Sequence, residues 1–363
     1  MNDSLVRAVK LLQSGELVAF PTETVYGLGA DATNLQAVAK IFAAKGRPAN
    51  HPLIVHLPGT DYLEGWAEDV PDTAQRLARA FWPGPLTLIL KRGRNVPYSV
   101  TGGQETIGIR VPSHPLALLL LNTYAKACAD KGSMCGIAAP SANRFGRISP
   151  TTAQHVRTEL GDQVALILDG GPCVVGIEST IIDLSRGTLS PPRLLRPGRI
   201  SPDEIAKVIG VFPENALSPQ DNRGAMRQSD QVGDKSPDDD IAPRVSGSMA
   251  GHYAPLTPLF IILNEQLQIF LRSMHESGQR CALLTYSHFV EHFLSHAFCR
   301  LPDNPEGYAQ GLYAALRRLD EANSDAILVE AVPETSEWMA IADRLRRAAY
   351  GSSEGMSSSS ELG

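Results

Sequence analysis

Cations, hydroxyls and small residues gather at a few points of this 363-residue sequence, each beside a short apolar run. The stretch Phe20-Pro21-Thr22-Glu23-Thr24-Val25-Tyr26-Gly27-Leu28-Gly29 puts hydroxyls, a carboxylate, a phenol and flexible backbone into one predicted loop. Loops at strand ends commonly hold ligands, although Thr-rich ones also satisfy their own backbone. Lys45-Gly46-Arg47-Pro48 offers two cations where a helix should stop. Alone, that tetrapeptide reads as a cap on the helix dipole; beside other anion-binding groups it could hold phosphate or carboxylate. Ser141-Ala142-Asn143, after Ala138-Ala139-Pro140, is a second compact polar loop, followed by Ser149, Thr151 and Thr152. By itself it would serve as a helix cap. Arg110 closes the apolar run Ile107-Gly108-Ile109, where a charge must point into a site or snorkel to solvent. His56 sits similarly in Leu53-Ile54-Val55-His56-Leu57, and a lone strand histidine is more often structural than catalytic. No Gly-Lys dipeptide occurs, so a Walker P-loop is excluded. Gly27 to Ala32 fits GxGxxA, but Pro21 to Tyr26 intervene where a dinucleotide strand would turn directly into its helix. The glycines are read as relaxing a loop.

The elements that must position these groups follow an α/β pattern from residue 5 to 200. Predicted strands are Leu17–Phe20, Leu53–Leu57, Leu86–Leu90, Ile107–Arg110, Ile137–Ala139, Val164–Leu168, Glu178–Leu184 and Leu194–Arg196. Helices are predicted to start near Leu35, Asp72, Pro115, Thr152 and Pro202. Several strand pairs lack an intervening helix, so the sheet should be mixed. From Pro213 to His252 the composition shifts to Pro, Ser, Asp, Gln and Gly without Phe, Trp or Tyr, the pattern of a linker. A second strand–helix pattern from Leu259 to Tyr350 predicts a smaller doubly wound, Rossmann-like domain, with strands Leu259–Leu263, Cys281–Thr285 and Ala326–Val329. The expected division is a catalytic domain over 1–210, a flexible linker over 211–256, an α/β domain over 257–350 and a disordered tail over 351–363.

Composition sets outer bounds. With 43% hydrophobic and 20% charged residues the chain can bury two cores. Its longest apolar run, Leu116 to Leu121, is far short of the roughly 20 residues that span a bilayer. The first residues lack a signal-peptide core, so a cytoplasmic location is expected. Five cysteines without a CxxC pair point to buried thiols rather than disulfides or a zinc site. A net charge of -6 disfavours a protein whose main task is gripping a nucleic-acid backbone.

In combination, the motifs resemble the threonylcarbamoyl-AMP synthase family, the YrdC-like proteins in their long form. The resemblance spans roughly residues 5 to 210. It rests on Phe20 to Gly29, Lys45-Gly46-Arg47-Pro48 with Pro52-Leu53-Ile54-Val55-His56, Phe81-Trp82-Pro83-Gly84-Pro85-Leu86-Thr87, Arg110-Val111-Pro112, Ala139-Pro140-Ser141-Ala142-Asn143, Glu178-Ser179-Thr180-Ile181 and Leu194-Leu195-Arg196-Pro197-Gly198. His252-Tyr253-Ala254-Pro255 matches the element that ends the linker in the long form. Two departures are His51, where the family usually has Asn, and an apparent insertion over Ala125 to Met134.

The resemblance implies a twisted mixed sheet with one concave, electropositive face. It implies condensation of L-threonine, bicarbonate and ATP to threonylcarbamoyl-AMP and pyrophosphate, for threonylcarbamoyladenosine formation on tRNA. Handover to a tRNA threonylcarbamoyl transferase is expected, with direct tRNA contact left open. Attack of a carbamate oxygen on the α-phosphorus needs triphosphate charge neutralised, by Lys45 and Arg47 and by Mg²⁺. By resemblance, Arg47, Thr106, Ser141, Asn143, Thr151, Arg196 and Tyr253 fall to ATP, with His51 retuning a nucleotide contact. Thr24, His56, Arg110 and Ser179 fall to threonine or its carbamate. No metal ligand is assigned among the residues. With no evident nucleophile or base, catalysis should come from positioning and electrostatics. Two alternatives remain at this stage. One is an RNA-binding or ribosome-maturation protein, disfavoured by the acidic charge. The other is a carbamoyl-adenylate domain of hydrogenase-maturation type, whose extra modules are missing.

Overall fold

The computed structural model describes residues 3–129, 134–188, 190–215, 242–287 and 292–359. The first sheet contains β1 (Val18–Phe20), β2 (Gly27–Asp31), β3 (Ile54–His56), β4 (Ala67–Glu68), β5 (Leu86–Arg92), β6 (Thr106–Arg110), β7 (Ile137–Ala138), β8 (Leu166–Ile167), β9 (Thr180–Asp183), β10 (Arg193–Arg196) and β11 (Glu214–Asn215). The order is β11-β10-β9-β5-β6-β3-β7-β2-β1-β8, with β4 paired to β5. Parallel and antiparallel pairs mix as the missing crossover helices required, β3 running parallel to β6 and antiparallel to β7.

Strand alternation divides the side chains between the sheet's faces. Ala19, Val55, Leu88 and Ile109 pack in one core with α2 (Leu35–Lys45) and α3 (Asp72–Phe81). Val18, Phe20 and Ile137 point the other way, onto α1 (Asp3–Gln13) and α5 (Pro115–Ala129). Those two helices cover only one end of that face. Farther along it Ile54, Ile89, Ile181 and Leu195 are covered by Val245 of the segment entering the second domain. Between the two coverings lies the site.

The remaining helices of the first half are α4 (Tyr98–Thr101), α6 (Ala153–Leu160) and α7 (Pro202–Ile209). The second sheet, ordered β12 (Leu259–Ile262), β15 (Ala326–Glu330), β13 (Cys281–Thr285) and β14 (Ala297–Arg300), is wholly parallel. Helices α8 (Asn264–Glu276), α9 (Pro305–Asp320) and α10 (Met339–Ser359) flank it. Its core is continuous with the first domain: Val25, Ile148 and Ile177 pack with Tyr308, Leu312, Leu345 and Ala348.

Several expectations are corrected. Gly27 to Asp31 is a strand, not a relaxed loop, and Gly29 is small because a Cβ there would lie 2.8 Å from the Phe20 ring and 3.0 Å from the Val18 carbonyl. The sequence pattern misses helix α1, which buries Leu5, Ala8, Val9 and Leu12 at helical spacing, and strand β14, four residues of mixed polarity. The first sheet continues past Gly210 through β11. Residues 351–359 extend α10 instead of starting a tail, and Ser352 is buried with its hydroxyl accepting from the Leu259 amide at 3.0 Å. Most of the expected linker, 216–241, and part of the expected insertion, 130–133, lie outside the described residues. All five cysteines are buried and none is in a disulfide. Among the described residues no helix is long and apolar enough to cross a membrane.

Candidate active site

Pairing of β3 with β6 sets His56 opposite Arg110, on the face between the two coverings. They line a cleft, partly open to solvent, with Thr24, Arg47, Ser141, Ser179, Arg196 and Tyr253. Arg110 is buried and answered by charge: it lies 2.7 Å from the Glu23 carboxylate and donates to Thr24 Oγ1 at 2.9 Å. The second Glu23 oxygen accepts the Ser113 amide at 3.0 Å. His56 is buried with Nδ1 unpartnered, and burial together with Arg110 lowers its pKa to about 3. It is therefore neutral near pH 7, a polar wall rather than a charge.

Arg47 and Arg196 are held differently. Helix α2 ends at Gly46, whose φ of 61° turns the chain sharply and sends Arg47 toward the cleft. Arg47 Nη2 donates to the Pro52 carbonyl at 2.8 Å and to Ser246 Oγ at 2.9 Å, while Nε has no partner. Burial, reinforced by Arg196, pulls its pKa down to about 10. Arg196 donates to the Ser246 carbonyl at 2.7 Å and to the Ser179 carbonyl and hydroxyl, each at 3.1 Å. Among the described residues, neither has a carboxylate within ion-pair distance. Two buried guanidiniums contacting only neutral oxygens form a place for an anion.

Lys45 departs from the expectation that it faces the ligand. Its ammonium donates to the Ser141 carbonyl at 2.6 Å and to the Asn143 carbonyl, with burial and then Arg47 depressing its pKa. It braces the polar loop whose Ser141 lines the cleft. Asn143 likewise holds that loop, donating to the carbonyls of Arg144 and Arg147, each at 2.8 Å, and its Oδ1 stays unpartnered. Besides Asn143, three expected ATP ligands stand outside the cleft wall. Thr106, four residues back along β6 from Arg110, lines a separate small hollow under Arg244–Ser246. Thr151 receives the Cys173 amide on its carbonyl at 2.9 Å and turns toward His155. His51, in the turn after Pro48, packs edge-on to Phe145, its ring centroid 5.2 Å away.

Tyr253 is buried with a φ of 61°, stacks on Tyr313 at 5.7 Å and leaves its hydroxyl unpartnered beside Gly247. It is thus both an anchor of the second domain and part of the cleft wall. Sequence reasoning assigned no role to Thr22, Thr87, Glu178 or Ser246, nor to the distant Tyr313 and Arg344. Glu178 was detectable as a carboxylate opening a buried strand. Arg344 interrupts the apolar stripe Ile341, Leu345, Ala348 of α10. The residues do not fit a protein-bound Mg²⁺. Glu23 and Glu178, the carboxylates at the cleft, are taken by Arg110 and Arg344, and no group of three ligating side chains occurs among the described residues.

Residues 10–198 match the family model described as Telomere recombination, and residues 200–350 match the one described as Threonylcarbamoyl-AMP synthase, C-terminal domain. Both lie in one chain, which defines the two-domain class of these proteins. The threonylcarbamoyl-AMP synthase of Pyrococcus abyssi is 38% identical over 94% of this chain and 92% of its own length. That of Bacillus subtilis is 39% identical over 96% and 93%. The crystal structure of P. abyssi Sua5 complexed with L-threonine superimposes with a TM-score of 0.80 at 35% identity, covering 96% of this chain and 94% of that one. The chain belongs to the threonylcarbamoyl-AMP synthase family.

Proposed function

We propose that this cleft makes threonylcarbamoyl-AMP from L-threonine, bicarbonate and ATP, with threonine and its carbamate at the Thr24–His56–Arg110–Ser179 end and the phosphates at Arg47 and Arg196. The observation that carries the division is the difference between the arginines: Arg110 is neutralised by Glu23 at 2.7 Å, whereas Arg47 and Arg196 contact only neutral oxygens. A partly neutralised guanidinium suits one carboxylate; two without an ion-paired carboxylate suit a polyphosphate. The carbamate oxygen attacks the α-phosphorus, pyrophosphate leaves with the electron pair, and the two arginines stabilise the developing charge. Lys45 and Asn143 act by shaping the Ser141 loop. Mg²⁺ receives no protein ligand in this scheme. Product passes to a tRNA-modifying transferase, because an acyl-phosphate anhydride hydrolyses readily and cannot be stored in water. The enclosed position of the arginines suits a small anion better than an RNA backbone. Pyrophosphate release from ATP, with threonine and bicarbonate omitted in turn, tests the reading: release must require both, and release indifferent to threonine would overturn it.

A further inference from the structure

Glu178 and Pro197 flank two residues of the cleft, Ser179 and Arg196, and one side chain from the second domain grips both flanks. Arg344 on α10 has no exposed side-chain surface; its Nε lies 2.8 Å from Glu178 Oε2 and its Nη2 donates to the Pro197 carbonyl at 3.0 Å. Tyr313 on α9 donates to the same Glu178 oxygen at 2.9 Å, and Ser149 to the other at 2.6 Å. The gripped backbones are already in contact: a Cβ at Gly198 would lie 2.3 Å from the Thr180 nitrogen and 2.8 Å from the Glu178 carbonyl oxygen. Inside the grip, Ser179 Oγ bonds Thr87 Oγ1 at 2.7 Å and Arg196 Nη2 at 3.1 Å.

We infer that Arg344, assisted by Tyr313, is a positioning residue for the reaction: it holds Glu178 from the second domain, keeping Arg196 and Ser179 aimed into the cleft. The proposal rests on the functional reading above. Arg344 also donates to Asp343 at 2.7 Å, and Asp343 pairs with Arg347 at 3.0 Å, so two carboxylates and two guanidiniums balance locally. That balance leaves Arg196 uncommitted. Without Arg344, the buried Glu178 carboxylate would turn to Arg196, the next guanidinium on which its ionised form depends, and draw it from the anion. Burial alone would raise the Glu178 pKa; Arg344 first and Arg196 second overcome it and hold it at about 2. The other groups acting electrostatically with Glu178 are Lys45, His252, Tyr253 and Tyr313.

The test uses the full-length chain and compares Arg344→Gln, the double variant Glu178→Gln with Arg344→Gln, and Tyr313→Phe. Each is assayed by threonine-dependent pyrophosphate release from pH 5.5 to about 9, the range across which a buried glutamate deprived of its partner titrates. Arg344→Gln is expected to lose about 30-fold or more in kcat/KM at neutral pH. Its activity relative to the native chain should rise toward acid pH, as Glu178 protonates and frees Arg196. The double variant, lacking the uncompensated charge, should recover to within about fivefold of the native chain, and Tyr313→Phe should lose about threefold. Native kinetics in Arg344→Gln overturn the proposal. Equal losses in single and double variants with a flat pH ratio also overturn it, because a mere brace between domains predicts that. If Arg344→Gln fails to fold, recovery in the double variant and the Tyr313→Phe loss decide in the same way. A native chain without threonine-dependent release overturns the functional reading instead, and is recognised before any variant is made.

Discussion

The two sheets of this chain both bury charge at their strand ends, and they answer it differently. In the second sheet Glu330, at the end of β15, is fully buried and satisfied from within its own domain. The amides of Tyr286 and Ser287 reach one oxygen at 2.9 and 3.0 Å, and Asn264 Nδ2 reaches the other at 2.5 Å. The aromatic rings of Tyr286, Tyr308 and Trp338 pack together in that domain. In the first sheet Arg47 and Arg196 have carbonyls and hydroxyls but no carboxylate within ion-pair distance among the described residues, and Arg47 Nε and His56 Nδ1 have no partner. A buried charge whose polar atoms are all hydrogen-bonded is structure; one that keeps an unused donor, as Arg47 does at Nε, has capacity for a ligand.

This contrast is most strongly tested at the cleft. Arg47→Ala and Arg196→Ala should each lower kcat/KM for pyrophosphate release by about 10²–10³-fold, the cost of removing one donor from a preorganised anion site, with circular dichroism unchanged. Near-native release by both would erase the distinction. Glu330→Gln should do the reverse. It should cost about 3 kcal/mol in urea unfolding, because a buried amide replaces an oxygen that receives N–H donors, while kcat stays within about twofold. A collapse of kcat at full stability would make the second sheet part of the catalytic machinery.

Acid pH sharpens the comparison further. His56 and His252, both at the cleft, have pKa values lowered to about 3, mainly by burial. The unfolded chain takes up these protons near pH 6.5, before the folded chain does. Stability is therefore complete above pH 6.5 and declines as pH falls toward 3, each histidine forfeiting about 2 kcal/mol by pH 5. Urea midpoints measured at pH 7.5 and 5 should show the decline, and His56→Asn should remove roughly half of it. The smallest effect is expected at Lys45. Lys45→Met should lower kcat/KM about tenfold, through KM for ATP more than kcat, because the lysine acts through the Ser141 loop. A loss confined to kcat would place its ammonium at the reacting phosphate instead.

Local chemistry made the first domain readable. Short apolar runs located β3, β5, β6 and β9, and the polar residues at their ends, Arg110 and Ser179, are cleft residues. Composition misled where context overrode it. Gly27 to Asp31 has the residues of a loop, yet forms a strand by pairing with β1 and β7, where Phe20 and Ile137 leave no space for a side chain at Gly29. The serines after Gly351 have those of a tail, yet Ser352 continues a helix by accepting the Leu259 amide. Lys45 and Arg47, two residues apart, carried the same chemical expectation. The left-handed Gly46 between them sends one to a loop's carbonyls and the other to the cleft, a divergence that no spacing rule encodes. Arg344 lies 166 residues beyond Glu178, and nothing local at either residue names the other.

The continuous core joining Val25, Ile148 and Ile177 to helices α9 and α10 bears on when the cleft can form during synthesis. Val25 belongs to the loop that carries Thr24, and the core it shares includes residues translated about three hundred positions later. Contacts at that sequence separation close last, since the loop between them must first lose its freedom. A nascent chain that has released only its first sheet therefore lacks part of the core behind that loop. The loop that carries Thr24 reaches its final packing only when nearly the whole chain has been made.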